Sequence, residues 1–181
     1  MIDSAKGPAR KPNAGAAPSS PRPGEPEFVS VFRVRSYELD ALGHVNHAVY
    51  LNYLEQARFE ALEAAGIPFQ RLVKEGWGIH VVRMEVEYRA ECRMGDELHV
   101  LTRAEELRNS SMTITQTLVK VDGTMDSEAG ESPSKAVPAV QARVVAVWIG
   151  PGGRPTRIPE FVRQALSRPE PDPDGSDPPP T

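Results

Sequence analysis

The sequence predicts an α+β domain in which an antiparallel β-sheet wraps around one long central α-helix. Between Ala48 and Ala65, polar residues recur at offsets of three and four and leave a broad apolar surface, as in a largely buried helix. The chain after this helix instead alternates apolar and polar residues, as antiparallel strands do. A sheet that curves around the helix would bury the apolar face of each element.

The predicted elements follow in the order strand, long helix, four strands and short helix. The segment FVSVFRVR at 28–35 alternates as a half-buried strand does. Gly66 is suited to end the long helix because glycine readily adopts the left-handed conformation, and Pro68 prevents continuation. A short helical turn is predicted at 69–74. The later strands and the closing helix are predicted at 78–90, 96–108, 111–123, 139–150 and 158–166.

Composition divides the chain into one folded domain and polar segments around it. The 181 residues are 39% hydrophobic, which suffices for one core but not for two complete domains. Residues 1–27 and 167–181 are rich in proline, so we expect flexible tails on either side of a domain at 28–166. Within this domain, residues 124–138 have few large apolar side chains and are expected to form an inserted mobile loop.

Charge, hydropathy and cysteine content exclude several classes of protein. The net charge of −4 and the lack of a basic stripe argue against a nucleic-acid binder. No run approaches the roughly 20 apolar residues that span a bilayer, so no membrane partner is expected. Cys92 is the only cysteine and cannot form an intrachain disulfide, which makes a reducing cytoplasm the expected location.

Chemically active residues are concentrated immediately before the long helix. The stretch DALGHVNH places Asp40, His44, Asn46 and His47 within eight positions. A helix start exposes unpaired N–H groups and the positive end of the helix dipole, which suit a developing oxyanion. A thioester carbonyl placed there would be polarised by the N–H near His47, while Asp40 attacks the carbon or activates water. The junction therefore predicts thioester cleavage.

The same stretch carries a family resemblance. From Asp40 to Arg58, DALGHVNHAVYLNYLEQAR resembles the signature of the 4-hydroxybenzoyl-CoA thioesterase family of hotdog-fold acyl-CoA thioesterases. The aspartate, the GHVN turn, the YLNYLE helix and the AR pair occur together and in order, and the resemblance extends over about residues 28–166. It implies a hotdog fold and hydrolysis of an acyl-CoA to a carboxylic acid and free CoA. No cofactor is implied, because CoA is part of the substrate.

The resemblance also implies roles for two residues and an assembly. Asp40 corresponds to the catalytic carboxylate, which acts as nucleophile or general base. His47 falls where the backbone N–H polarises the thioester carbonyl, and some members carry a catalytic histidine there. Family members are dimers or dimers of dimers with acyl sites between subunits, which implies a homodimer or homotetramer. The insert at 124–138 and the tails depart from the family and affect the expected substrate entrance more than the reaction.

The residues around Asp40 and His47 are candidates for substrate binding, each with a structural alternative. His44 could instead hydrogen-bond loop carbonyls, and Asn46 could cap the helix. Tyr50 could be a core residue with a polar tip. Glu55 could pair with Arg58 three residues further along the helix.

A metal site at the same junction is not expected. Asp40, His44 and His47 are residue types that bind zinc or iron, but their spacing alone is a weak signal. No cysteine cluster or H-E-x-x-H pattern completes such a site.

Two rival functions stay open on the sequence. A hotdog hydratase or dehydratase acting on enoyl thioesters would be expected to have a histidine and a proline- and glycine-rich turn before the central helix, and the proline is missing. The second rival is a non-catalytic protein that binds acyl thioesters or serves as a scaffold. An Asp40→Asn variant separates this rival from an enzyme.

Overall fold

The fold is known from a computed structural model that describes residues 28–121 and 136–166, with the backbone alone for Ala136. A 3₁₀ turn at Ser36–Glu38 lies between the first strand and the first helix. The helices and strands are, in chain order, β1 (Phe28–Arg33), α1 (His47–Ala64), α2 (Phe69–Lys74), β2 (Gly78–Tyr88), β3 (Glu97–Leu107), β4 (Ser111–Val121), β5 (Ala136–Ile149) and α3 (Glu160–Leu166).

The five strands form one antiparallel sheet in the order β1-β3-β4-β5-β2. Strands β3 and β4 form a long hairpin whose register runs from Glu97 opposite Val121 to Leu107 opposite Met112. Strands β1 and β2 are consecutive in sequence but lie at opposite edges of the sheet, because α1 and α2 connect them across it. The architecture confirms the predicted α+β fold class.

Helix α1 packs on the sheet through one continuous apolar face. Its buried residues are Tyr50, Tyr53, Leu54, Ala57, Ala61 and Leu62. The first part of the helix joins a cluster with Leu98 of β3 and Leu118 of β4. The last part joins a second cluster around Trp148 of β5, to which α2 and α3 also contribute. Each fully buried large side chain contributes about 1.5–3 kcal/mol of hydrophobic free energy, so this face fixes the helix on the sheet.

Both ends of α1 have the residue types that the sequence predicts. Asn46 caps the start, where its side-chain oxygen accepts the Ala48 N–H at 2.9 Å. Gly66 closes the end with a φ of 75°, and its N–H donates to the Glu63 carbonyl at 2.9 Å. A glycine here avoids the steric cost that a side chain would meet at positive φ.

Some boundaries differ from the predicted ones. Helix α1 begins at His47 and ends at Ala64, one residue earlier than expected at each end. Strand β5 begins at Ala136, so the last part of the expected 124–138 loop is strand. Pro138 is tolerated in β5 because its pairing with Val119 falls at a register irregularity, where a missing N–H costs little.

The remainder of that loop and both expected tails, 1–27 and 167–181, lie outside the described residues. The limits of the domain at 28–166 therefore stay a prediction. Among the helices that the structure describes, none has the length and apolar character needed to cross a bilayer.

Candidate active site

The loop at 39–45 presents Asp40 just before α1. Leu39 and Val45 form an isolated antiparallel bridge that closes the loop. Within it, the Asp40 N–H donates to the His44 carbonyl at 2.8 Å and the Gly43 N–H donates to the Asp40 carbonyl at 3.1 Å. Gly43 has a φ of 79°, a conformation that favours glycine. The backbone position of Asp40 is thus set by bonds on both sides of it.

The Asp40 carboxylate is oriented by two backbone donors. Its Oδ1 accepts the Leu42 N–H at 2.8 Å and the His44 N–H at 3.3 Å. Such a local turn is typical of aspartate, whose side chain can bond the backbone two residues further on. Oδ2 accepts no hydrogen bond from the residues that the structure describes. The half-buried side chain therefore keeps one oxygen available to a ligand.

The start of α1 offers a free backbone donor in the same region. The Ala48 N–H is bound by the Asn46 side chain and the Val49 N–H by the Asn46 carbonyl, each at 2.9 Å. The His47 N–H has no acceptor in residues 28–121 and 136–166. It lies at the positive end of the helix dipole, where an oxyanion is stabilised.

The two histidines of the motif differ in their surroundings. The His47 imidazole is exposed and has no hydrogen-bond partner within the described segments. His44 Nε2 instead lies 3.0 Å from Glu91 Oε2 and 3.0 Å from Arg93 Nη2. The hydrogen bond from Arg93 lowers the pKa of Glu91, which keeps this carboxylate ionised at neutral pH. His44 is therefore held by charged neighbours, whereas the His47 imidazole is exposed to solvent.

Two tyrosines form a wall beside the helix start. Tyr50 is 4% exposed, and its hydroxyl accepts the Cys92 N–H at 3.1 Å. Burial raises the pKa of Tyr50, so the phenol stays neutral. Tyr88 contacts the Tyr50 ring edge-on at a centroid distance of 5.7 Å and donates its O–H to the His47 carbonyl at 3.0 Å. This contact connects the end of β2 to the first residue of α1.

One open cleft brings together four of the six predicted site residues, namely Asp40, His44, His47 and Tyr50. Its other lining residues are Val45 and, at the end of β2, Tyr88, Arg89, Ala90 and Glu91. Sequence reasoning missed this second wall, because alternation identifies a strand but does not show which strand end reaches the helix start. The polar residues within YRAE were the available signal.

Two predicted site residues lie outside the cleft. Asn46 is the helix cap, so its structural alternative is confirmed. Glu55 lines a separate cavity of about 70 Å³ between α1 and the sheet, whose walls are mostly apolar. The expected ion pair between Glu55 and Arg58 is not formed, because the Arg58 guanidinium donates to Gln116 Oε1 at 2.8 Å instead. A substrate-binding role for Asn46 or Glu55 stays a prediction.

A metal ion has no evident set of ligands in this part of the molecule. Among the described residues, no group of three or more histidine, cysteine, aspartate or glutamate side chains is arranged to hold one.

An antiparallel sheet packed on one long helix, with a carboxylate at the helix start, is the arrangement that the resemblance to hotdog-fold thioesterases implies. The chain belongs to the Thioesterase-like superfamily, whose family model matches residues 34–166. This match confirms the family resemblance that the sequence predicts.

Individual relatives agree with this assignment. The chain is 30% identical over 141 residues to "Acyl-acyl carrier protein thioesterase ATL3, chloroplastic" of Arabidopsis thaliana. The aligned region covers 77% of this chain and 68% of the relative. It is 36% identical over 97 residues to "Acyl-CoA thioester hydrolase YbgC" of Escherichia coli O157:H7, covering 54% of this chain and 72% of the relative.

A solved structure shows the same fold. A 1,4-dihydroxy-2-naphthoyl-CoA thioesterase from Synechocystis superposes with a TM-score of 0.67 at 16% identity, covering 78% of this chain and 96% of that one.

Proposed function

We propose that the protein hydrolyses acyl-CoA thioesters to a carboxylic acid and free CoA, with Asp40 as the catalytic carboxylate. One observation carries this proposal. The Asp40 carboxylate, with an oxygen free of described hydrogen bonds, lines the same cleft as His47, whose N–H at the helix start is also free. The relatives support the reaction class, because one of them is named an acyl-CoA thioester hydrolase.

In the general-base form of the reaction, Asp40 accepts a proton from a water molecule. The resulting hydroxide adds to the thioester carbon, and the carbonyl oxygen becomes an oxyanion that accepts the His47 N–H. Collapse of the tetrahedral intermediate breaks the carbon–sulfur bond. CoA leaves as a thiolate and takes up the proton held by Asp40, directly or through the His47 imidazole, which restores the Asp40 carboxylate and leaves the carboxylic acid.

In the nucleophilic form, a carboxylate oxygen of Asp40 adds to the same carbon and displaces the CoA thiolate. This step leaves an anhydride between Asp40 and the acyl group. Water then hydrolyses the anhydride and restores the carboxylate. Both forms need the same placement of Asp40 beside the helix start.

The other cleft residues would act on binding or on proton transfer. The His47 imidazole, which lines the cleft, would donate a proton to the leaving thiolate or contact the substrate. His44 and Tyr50 line the cleft and are proposed to contact the acyl-CoA. Glu55 would contact the substrate only if the acyl group reached the separate cavity beside α1.

A homo-oligomer is the proposed working state. Strand β2 is an edge strand that pairs with β5 alone among the described strands. The four consecutive residues from His80 to Arg83 are exposed, so side chains on both faces of this strand are open to solvent. Two of them are apolar: the exposed fraction is 46% for Val81 and 61% for Val82. An exposed edge with apolar side chains is a site for pairing with another chain, and we propose a second copy as its occupant.

That second copy would also lie near the open cleft, because the end of β2 forms one cleft wall. The proposed assembly is a homodimer or a homotetramer. A cytoplasmic location remains a prediction from the sequence.

A panel of acyl-CoA esters tests the proposed reaction. Aliphatic and aromatic esters of different lengths would be incubated with the protein, and released CoA measured with a free-thiol reagent. We expect at least one ester to release thiol well above the spontaneous rate. If no ester does so, the hydrolase proposal fails and a binding protein replaces it.

Two further arms distinguish the nearest alternatives. Acyl groups carried by an acyl carrier protein should be included, because one relative is named for that substrate. An enoyl-CoA ester followed by the loss of its enoyl absorbance tests for a hydratase. Hydration without thiol release would replace the hydrolase proposal with the hydratase.

A further inference from the structure

Glu38 is a buried carboxylate that the proposed reaction does not use. Glu38 is only 7% exposed, and acidic side chains are rarely buried unless they are paired. Its Oε2 accepts the Arg35 backbone N–H at 2.6 Å and the Tyr53 hydroxyl at 2.5 Å, and Oε1 lies 3.5 Å from Arg35 Nη1. These donors hold the side chain in one orientation.

Tyr53 connects Glu38 to helix α1. It is 4% exposed, and its ring packs against Phe32 at a centroid distance of 5.3 Å. Burial, together with the hydrogen bond to Glu38, raises the pKa of Tyr53, so the hydroxyl retains the proton that it donates. The bond therefore fixes the 3₁₀ turn at Ser36–Glu38 against the second turn of the helix.

The backbone of Glu38 connects the two ends of the loop at 39–45. Its carbonyl accepts the Asn46 N–H at 2.9 Å, directly before α1. The bridge between Leu39 and Val45 follows at once. Glu38 thus makes hydrogen bonds to the turn before Asp40 through Arg35, to helix α1 through Tyr53, and to the helix cap Asn46. A shift of the Glu38 backbone would move Asp40, two residues later, relative to the His47 N–H.

We propose that Glu38 and Tyr53 form a positioning pair that sets the distance and direction between the Asp40 carboxylate and the start of α1. This inference rests on the proposed function of Asp40. Neither side chain lines the cleft, so the pair acts through the loop and does not touch the substrate.

A role in stability alone explains the pair less well. Burying a carboxylate costs desolvation, and an apolar residue of similar volume often stabilises a core as well or better. A buried carboxylate that accepts two short hydrogen bonds instead fixes one geometry. Precise placement matters for the reaction, since a displacement of about 1 Å can cost a factor of about 100 in rate.

Two variants change the bond from either side. Glu38→Gln keeps the shape of the side chain, and its amide oxygen can still accept, but the negative charge that strengthens both short bonds is lost. Tyr53→Phe removes only the donating hydroxyl. For each variant we expect kcat to fall by about tenfold or more, with KM for the best acyl-CoA within about twofold, because the loop shifts while substrate contacts remain. Glu75→Gln, an exposed carboxylate paired with Arg71, is the matched control and should leave both constants unchanged.

A second readout reports the loop without relying on turnover. The amide protons of Leu42 and His44 donate to Asp40, so their exchange with solvent should become faster in both variants and remain as in wild type in Glu75→Gln. If the wild type is active and the amide exchange and kcat of Tyr53→Phe equal those of wild type, the positioning role is wrong while the proposed function stands. If the wild type cleaves no thioester, the proposed function itself fails, and the positioning role fails with it.

Combination with Asp40→Asn separates positioning from general destabilisation. If Glu38 acts through the Asp40 carboxylate, Glu38→Gln should cause no further loss of the residual turnover of Asp40→Asn. An equal loss in both backgrounds would mean that Glu38 supports the fold and not the geometry of Asp40, and would overturn the inference. Should Glu38→Gln fail to fold, Tyr53→Phe in both backgrounds decides the question by the same criterion.

Discussion

Asn46 joins the loop at 39–45 to helix α1 through a single side-chain bond. Its Oδ1 accepts the Ala48 N–H at 2.9 Å, which satisfies one of the donors that a helix start leaves unpaired. Replacement by alanine should lower the free energy of unfolding by about 0.5–2 kcal/mol. Urea denaturation would measure this change.

The control for the cap is Asn52→Ala, an exposed site within α1. It should change the free energy of unfolding by no more than about 0.5 kcal/mol. Equal effects at the two positions would show that Asn46 contributes helix propensity and not a cap.

Cys92 should make stability depend on pH in the alkaline range. Burial raises the pKa of its thiol, so the folded state resists ionisation that the unfolded chain undergoes above about pH 8.5. The contribution of Cys92 to the free energy of unfolding is constant below that pH. It is lost as pH rises, because the unfolded state then releases a proton that the folded state keeps.

Urea denaturation from pH 7 to 9.5 tests this effect, before the unfolded tyrosines ionise near pH 10. The free energy of unfolding should fall with pH more steeply for wild type than for Cys92→Ala. Parallel curves would contradict the assignment of the shift to Cys92.

The sequence predicted those residues of the candidate site that lie close to one another along the chain. Asp40, His44 and His47 lie within a few positions of one another, so their proximity could be read from the sequence. Glu38 lies in the same segment, but its hydrogen-bond partner Tyr53 lies in the second turn of α1, fifteen positions away. The predicted Glu55–Arg58 ion pair was missed for a similar reason. The Arg58 guanidinium donates instead to Gln116 of β4, which is distant in sequence.

Helix α1 is the element whose packing carries the site. Leu54 is fully buried at its centre between helix and sheet. Leu54→Ala should lower the free energy of unfolding by about 2–5 kcal/mol, because it removes buried apolar atoms and leaves a cavity. Leu51→Ala on the outer face, where the residue is 37% exposed, is the control and should cost less than about 1 kcal/mol. Denaturant titration of both variants makes the comparison, and similar losses would contradict the orientation of the helix.

Elements were predictable because helices and strands differ in their apolar period. The sequence could not show the strand order, in which β2 lies at the opposite edge from β1, since this depends on how the two connecting helices cross the sheet. The 3₁₀ turn at Ser36–Glu38 was also missed, because it is too short for any period to appear.

At the scale of the whole molecule, the two sheet edges give a matched test of assembly. Val81 and Val82 are exposed on β2, and Val29 and Val31 are exposed to a similar degree on β1. If β2 pairs with a second copy, Val81→Lys combined with Val82→Lys should reduce the molar mass in solution to that of one chain. Light scattering after size-exclusion chromatography would measure it.

The corresponding change on β1, Val29→Lys with Val31→Lys, should leave the assembly intact. Dissociation by the β1 change alone would place the interface at the other edge. A wild-type chain that is a monomer at all concentrations would contradict the proposed oligomer.

The most direct test of Asp40 as the catalytic carboxylate is the turnover of Asp40→Asn on the acyl-CoA that the wild type cleaves fastest. We predict a fall in kcat of about 100-fold or more, because the amide can neither accept a proton from water nor attack the thioester. Asp96→Asn, another loop aspartate that accepts a backbone N–H, should retain wild-type turnover. If Asp40→Asn released CoA as fast as the wild type, Asp40 would not be the catalytic carboxylate.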